Sequence, residues 1–282
     1  MLSVLPVTGN IGAFVEGVDL ASEVDETLAE ALRQALWRHQ VLFFRDQFLD
    51  IANLKRVTTR FGPLQRLPYV EAMPDDPDVI GVAKKATDRK VAVFGGNWHS
   101  DFSFLGHPPA GSLLTAIEVP EVGGDTVWSN QTAAYETLPD DLKNIVDGRA
   151  AIHVGKPHGV KFAPKGRQRS TIKMVRNDPE ADRETFHPAV RKHPETGRKS
   201  LFLNPVYTAR LDGMSEAESA PVLDRLYWHA TRPEFCCRHR WQAGDLVIWD
   251  NRSTLHFAVN DYDGHDRLLY RTTFSDDHPP RG

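Results

Sequence analysis

The sequence predicts an α+β fold with a β-sandwich or barrel at its centre. Three observations predict it. An amphipathic helical pattern near the N-terminus runs straight into the apolar run Val41-Leu42-Phe43-Phe44, short β-rich runs follow at intervals, and few helical patterns separate the later ones. At 282 residues the chain sits just past the size at which one core stops growing. One domain over 1–282 is expected, with 155–200 as a loop-rich insertion or lid.

The first helix is expected from Asp25 to His39, because Leu28, Leu32, Ala35 and Leu36 recur at helical spacing and Asp25 suits an N-cap. A second is expected from Asp50 to Phe61, with Ile51, Leu54 and Val57 on one face and Gly62-Pro63 as its stop. A loop-rich stretch comes next. Strands are expected at Ser112–Val119, Asp125–Trp128, Ser200–Leu203, Leu246–Trp249 and Leu268–Phe274, with Gly123-Gly124 and Gly244-Asp245 as turns. Ser215 and Glu218 have capping-box spacing and open a helix to about Ala230.

Composition narrows the function. A net charge of -4 gives no global basic field for a phosphate backbone, so no nucleic-acid partner is expected. No apolar run is long enough to span a membrane, and the N-terminus lacks the pattern of a signal peptide, so a cytoplasmic protein is expected. Cys236 and Cys237 are adjacent, which suits neither a structural disulfide nor a zinc site. Between Lys156 and Arg176 lie seven Lys or Arg and no acidic residue. This reads as a solvated loop, or as a lid or subunit contact whose charge attracts anions.

Phosphate-binding glycine loops and a serine nucleophile elbow are absent, which leaves histidines and carboxylates. In Trp98-His99-Ser100-Asp101-Phe102, extended backbone would turn His99 and Asp101 to the same side, close enough to share one metal ion. One such pair is what chance supplies, so a third donor must decide. His193-Pro194-Glu195 competes, but it lies in a turn-like charged stretch where a surface or turn role is expected for His193. His256, just past an apolar strand, is either a satisfied core histidine or the third ligand. Arg267 and Arg271 favour the second reading, because arginines in a buried strand demand anionic partners.

Together these blocks resemble the iron(II)- and 2-oxoglutarate-dependent dioxygenases of the TauD/TfdA family. The resemblance runs from Gly12-Ala13-Phe14-Val15-Glu16-Gly17-Val18-Asp19-Leu20 through Phe43-Phe44-Arg45-Asp46-Gln47, Asn97-Trp98-His99-Ser100-Asp101 and Gly123-Gly124-Asp125-Thr126. It continues at His193-Pro194-Glu195-Thr196-Gly197-Arg198 and closes with Trp249-Asp250-Asn251-Arg252, His256 and the two arginines. It implies a double-stranded β-helix, a jelly-roll or cupin-like core with flanking helices. It also implies Fe(II) on His99, Asp101 and His256, with 2-oxoglutarate and O2 as cosubstrates. Arg267 would hold the far carboxylate of 2-oxoglutarate with help from Thr126, and Arg271 would meet an anionic group of the substrate.

The implied substrate is a small sulfonate, alkyl sulfate or aryloxyalkanoic acid, hydroxylated with release of succinate and carbon dioxide. A homodimer or homotetramer is implied as well. Leu67 stands where taurine enzymes carry a substrate-binding histidine, so taurine is not expected. Tyr69, Phe102 and Phe104 are read as core or pocket wall, Asp250 and Arg252 as a structural pair, and Trp98 and Trp128 as packing. A zinc hydrolase on the same ligands and a noncatalytic binding module are the rival readings.

Overall fold

Residues 2–161, 172–276 and 278–282 are described in the computed structural model. Within them Val41–Phe44 is a strand buried on both faces, as its unbroken apolar run requires. The helix before it, Glu26–His39, is capped by Asp25, whose side chain accepts from the Leu28 amide, and ends on Gln40 in the left-handed region. The second helix is shorter than expected, Ile51–Thr58, with Asp50 as its cap. The third long helix, Glu216–Ala230, carries the full Ser215/Glu218 capping box.

Seven strands form the major sheet in the order Ser3–Pro6, Ala13–Glu16, Val41–Phe44, Leu246–Asp250, Gly111–Glu118, Arg267–Phe274 and Ile80–Lys84. A minor sheet of Cys236–His239, Thr126–Asn130 and Thr254–Ala258 lies against it. The two-residue alternation of strands separates two apolar layers. Leu42, Phe44, Leu113, Leu246 and Ile248 pack with Leu32, Leu36, Leu54 and Val57 of the helices. Val41, Phe43, Leu114, Val247, Trp249 and Leu269 pack with Trp128 and Cys237 of the minor sheet. The result is the jelly-roll core.

Several strands went unforeseen, among them Ile80–Lys84 inside the stretch expected to be loop-rich and Thr254–Ala258, which carries His256. Short strands with mixed burial have no clean alternation to read, and pairing across the sheet decides them. The stretch expected as an insertion or lid holds strands at Thr185–Pro188, Val190–Lys192 and Lys199–Leu201, and 162–171 of the basic run lie outside the described residues. No helix among the described residues is long and apolar enough to cross a membrane. Both cysteines are free thiols, and burial pushes Cys237 up to about 12.

Two core histidines make stability depend on pH. His153 has Nδ1 2.9 Å from Ser103 Oγ and stacks on Phe202, while His187 Nε2 sits 2.9 Å from the Leu105 carbonyl oxygen. Burial, with a smaller contribution from neighbouring positive charge, lowers them to about 3 and about 4. The unfolded chain takes up protons near pH 6.5 that the folded chain refuses, so stability falls as the pH drops from there toward 4. Denaturant unfolding at pH 7 and pH 5 should show a loss on the order of 2 kcal/mol per imidazole. A midpoint that does not fall would contradict this account.

Candidate active site

A backbone bridge builds the site. The His99 amide donates to the His256 carbonyl at 3.0 Å and the His256 amide returns the bond at 2.8 Å, so two residues far apart in sequence become direct cross-strand neighbours. Their ring centroids stand 4.1 Å apart. Ser100 points the other way, its hydroxyl donating to the Asn251 carbonyl at 2.9 Å, and Asp101 returns to the side of His99. Gly95 leaves room for this approach: it has φ +78°, and a Cβ there would lie 3.1 Å from His99 Cε1.

Asp101 Oδ1 lies 3.6 Å from Nε2 of both histidines, too far to hydrogen-bond and near enough to share one ion. The three donor atoms fall within 4.8 Å of one another, and all three residues are buried. Their chemistry suits a divalent cation. His99 Nδ1 donates to the Asn97 carbonyl at 2.8 Å, which leaves its Nε2 lone pair free. Burial holds both imidazoles neutral, that of His256 most strongly. His256 is oriented by the bridge and by Trp249, 5.0 Å away, since its own Nδ1 has no hydrogen bond.

Burial opposes ionisation of Asp101, but Arg271, His256 and His99 outweigh it and hold the carboxyl far below its usual range. Arg271 pairs with Oδ2, which also accepts from Ser112 Oγ at 3.0 Å. Oδ1 is buried with no hydrogen bond. A bare carboxylate oxygen facing two imidazole lone pairs is costly unless a cation lies between them. With two neutral ligands and one anion, a divalent ion would leave the centre at about +1.

Two cavities meet at His99. One, of about 40 Å³, is lined by His99 and His256 together with Thr126, Trp249, Arg267 and Arg271. Arg267 is buried over the rings of Trp241 and Tyr262, with centroids at 5.9 and 5.7 Å. It has no carboxylate partner among the described residues, and its Nε makes no hydrogen bond. Burial pushes its guanidinium down, the sign of a cation short of an anion. Thr126 Oγ1 accepts from Trp241 Nε1 at 3.0 Å, so its own proton is free to donate. Gly124, at φ +71°, lets the backbone pass the Arg267 stem, where a Cβ would lie 3.2 Å from Cδ.

The larger cavity, about 290 Å³, opens over His99 and Asp101 and is walled by Phe94, Phe102, Val206 and Tyr207. Both ends of the basic run reach its rim, with Lys156 and His158 on one side and Met174 and Arg176 on the other. The structure thus brings together five of the expected residues around one cavity and Asp101 beside it. Arg271, expected at a substrate anion, is paired with Asp101 and lines the smaller cavity.

His193 corrects the sequence reading. It does sit in a turn, where its Nδ1 accepts from the Glu195 and Thr196 amides at 3.2 Å each, but its side chain is buried. Its Nε2 donates to Asp250 Oδ2 at 2.9 Å. Asp250 is also gripped by Arg252 through Nε at 3.0 Å and a terminal nitrogen at 2.7 Å, and Arg252 reaches on to Asp276 at 2.8 Å. This buried cluster was missed because His193 and Asp250 lie 57 residues apart and no local pattern joins them. Asp250 and Arg252 form the structural pair expected of them, at the turn that launches the strand of His256.

A family model described as taurine catabolism dioxygenase TauD, TfdA family, matches residues 3–273. The chain belongs to this family. Among its members, an alkylsulfatase of Acinetobacter baylyi is 38% identical over 97% of this chain and 85% of that one. An alpha-ketoglutarate-dependent sulfate ester dioxygenase of Pseudomonas putida is 34% identical over 99% of this chain and 91% of its own. The crystal structure of a taurine dioxygenase from Burkholderia xenovorans superposes with a TM-score of 0.81 at 34% identity, covering 99% of this chain and 92% of that one.

Two outcomes follow from the geometry. Replacing His99 or His256 by Ala should weaken Mn(II) binding, read by calorimetry, at least about tenfold, since each removes one of only three protein ligands. Asp250→Asn should destabilise the fold by about 3 kcal/mol in urea unfolding, because it strips the buried Arg252 of its nearest anion.

Proposed function

We propose that the chain is an Fe(II)- and 2-oxoglutarate-dependent dioxygenase that hydroxylates a small anionic organic substrate, with succinate and carbon dioxide as coproducts. The observation that carries this is a neutral-imidazole and carboxylate triad standing between a smaller cavity lined by Arg267, which has no carboxylate in salt-bridge contact, and a larger one lined in part by Lys156 and Arg176. The names of the two sulfate-ester relatives support an alkyl sulfate, with sulfonates and aryloxyalkanoic acids as neighbours in the same class.

In this reading His99, Asp101 and His256 hold Fe(II). When bound, the metal would supply the redox chemistry by which O2 oxidises both 2-oxoglutarate, to succinate and carbon dioxide, and the substrate, to its hydroxylated product. Arg267 binds the distal carboxylate of 2-oxoglutarate in a bidentate fork, and the Thr126 hydroxyl donates to it. Arg271 keeps Oδ2 of Asp101 occupied so that Oδ1 faces the metal, and its positive charge would draw the substrate's anionic group toward the triad. Burial of the triad excludes water. Hydroxylation of the carbon that bears a sulfate ester gives an unstable hemiacetal sulfate, which collapses to aldehyde and hydrogensulfate. That outcome balances as ester cleavage.

A zinc hydrolase would leave Arg267 and Thr126 without a role, and a binding module would have no need of the bare ligand triad. Succinate formed from 2-oxoglutarate should require Fe(II), fail with Zn(II), rise with an alkyl sulfate, and disappear in His256→Ala. Equal succinate in wild type and His256→Ala would refute the reading. Arg267→Ala should raise half-saturation by 2-oxoglutarate at least about thirtyfold, the lower end of what losing a buried charge partner costs. An unchanged value would remove Arg267 from the cosubstrate site.

A further inference from the structure

The larger cavity is lined by a phenol whose hydroxyl bonds to no described residue. Tyr207 is 5% exposed, lines the wall over His99 and Asp101, and packs against Phe104 and Phe102 with centroids at 5.0 and 6.3 Å. Its hydroxyl makes no hydrogen bond with any described residue. A phenol whose ring is packed in the wall and whose hydroxyl has no protein partner is open to a ligand in that cavity.

Its position is fixed from both sides. The Tyr207 amide donates to Asn204 Oδ1 at 2.9 Å, and its carbonyl accepts from the Val154 amide at 2.9 Å. Asn204 in turn donates to Ser103 Oγ at 2.8 Å, two residues beyond Asp101, which ties the phenol's mount to the segment that carries the carboxylate. Burial, then the charge of Asp101, push the phenol's ionisation well above its usual range, so it remains a donor.

The other polar groups of the wall do different work. His158 spends Nδ1–H on the Val175 carbonyl at 3.0 Å, which leaves Nε2 as an acceptor that cannot serve an oxyanion. Asn97 is exposed, and Lys156 and Arg176 are half-buried at the rim. We propose that Tyr207 positions the primary substrate by donating its hydroxyl proton in a hydrogen bond to an acceptor oxygen of the substrate's anionic group, holding the adjoining carbon over the triad. This rests on the dioxygenase reading above and names the residue that would discriminate oxyanion-bearing substrates from apolar ones of the same shape.

The test uses the Fe(II) enzyme with 2-oxoglutarate and without oxygen, titrated in a calorimeter with hexyl sulfate, hexanesulfonate and 2,4-dichlorophenoxyacetate. Whichever binds tightest is then titrated into Tyr207→Phe. Affinity should fall about tenfold or more, the loss of one hydrogen bond to a charged acceptor. In turnover, KM for that compound should rise in parallel, with kcat within about threefold and 2-oxoglutarate half-saturation unchanged. Because the hydroxyl has no partner in the free protein, its removal should leave the unfolding midpoint where it was. Equal affinity in wild type and variant overturns the role of Tyr207 and leaves the dioxygenase reading standing, as does a loss matched by weaker 2-oxoglutarate binding. If wild type binds none of the three compounds, the anionic-substrate reading and the Tyr207 assignment both fall.

Discussion

The pair of backbone hydrogen bonds between His99 and His256 is the constraint on which the site depends. Alone they are two ordinary bonds, but they set two imidazoles side by side and point both at one carboxylate oxygen. Everything that surrounds them serves to keep that arrangement in place. Gly95 admits the approach, Asn97 fixes the tautomer of His99, and Trp249 backs the ring of His256. Arg271 and Ser112 occupy the outer oxygen of Asp101 so that the inner one stays bare. Such a triad is unfavourable without a cation, and its geometry is kept only because the surrounding sheet over-determines it.

Charge is partitioned around this centre with little redundancy. Three of the buried arginines differ in their partners. Arg252 is fully compensated by Asp250 and Asp276, and it belongs to the scaffold beneath the strand of His256. Arg267 has no such partner among the described residues, and Arg271 shares one carboxylate with the prospective metal. What sets Arg267 and Arg271 apart is that they line a cavity beside the triad, whereas Arg191, also buried without a carboxylate in salt-bridge contact, packs over the Phe202 ring and lines neither cavity. His193 shows the same point from the other side: a histidine in a charged turn is part of the buried scaffold because Asp250 reaches it.

The smaller cavity lies on the side of His256 and the arginine strand, the larger on the side of Asp101 and Tyr207, and His99 belongs to both. The sandwich makes this division possible. Thr126 and His256 come from the minor sheet and Arg267 and Arg271 from the major sheet, so the smaller cavity is the gap between the layers, whereas the larger one is lined by loops. A cosubstrate common to a family fits a wall of strands, and a substrate that differs among relatives fits a wall of loops.

By itself the sequence determined the helix caps at Asp25 and Ser215 and the buried strands at Val41–Phe44 and Leu246–Trp249, because each of these is written in neighbouring residues. The ordered blocks from Gly12 to Arg271 also carried the family, since their spacing is a property of the chain. Tertiary structure alone decided what those residues meet. It showed that Arg267 lacks a carboxylate, that Arg271 is tied to Asp101, that His193 belongs to the scaffold, and that the phenol of Tyr207 stands unpartnered in the larger cavity. The physical reason is that burial and pairing are set by contacts across sheets and loops, between residues that no local pattern links.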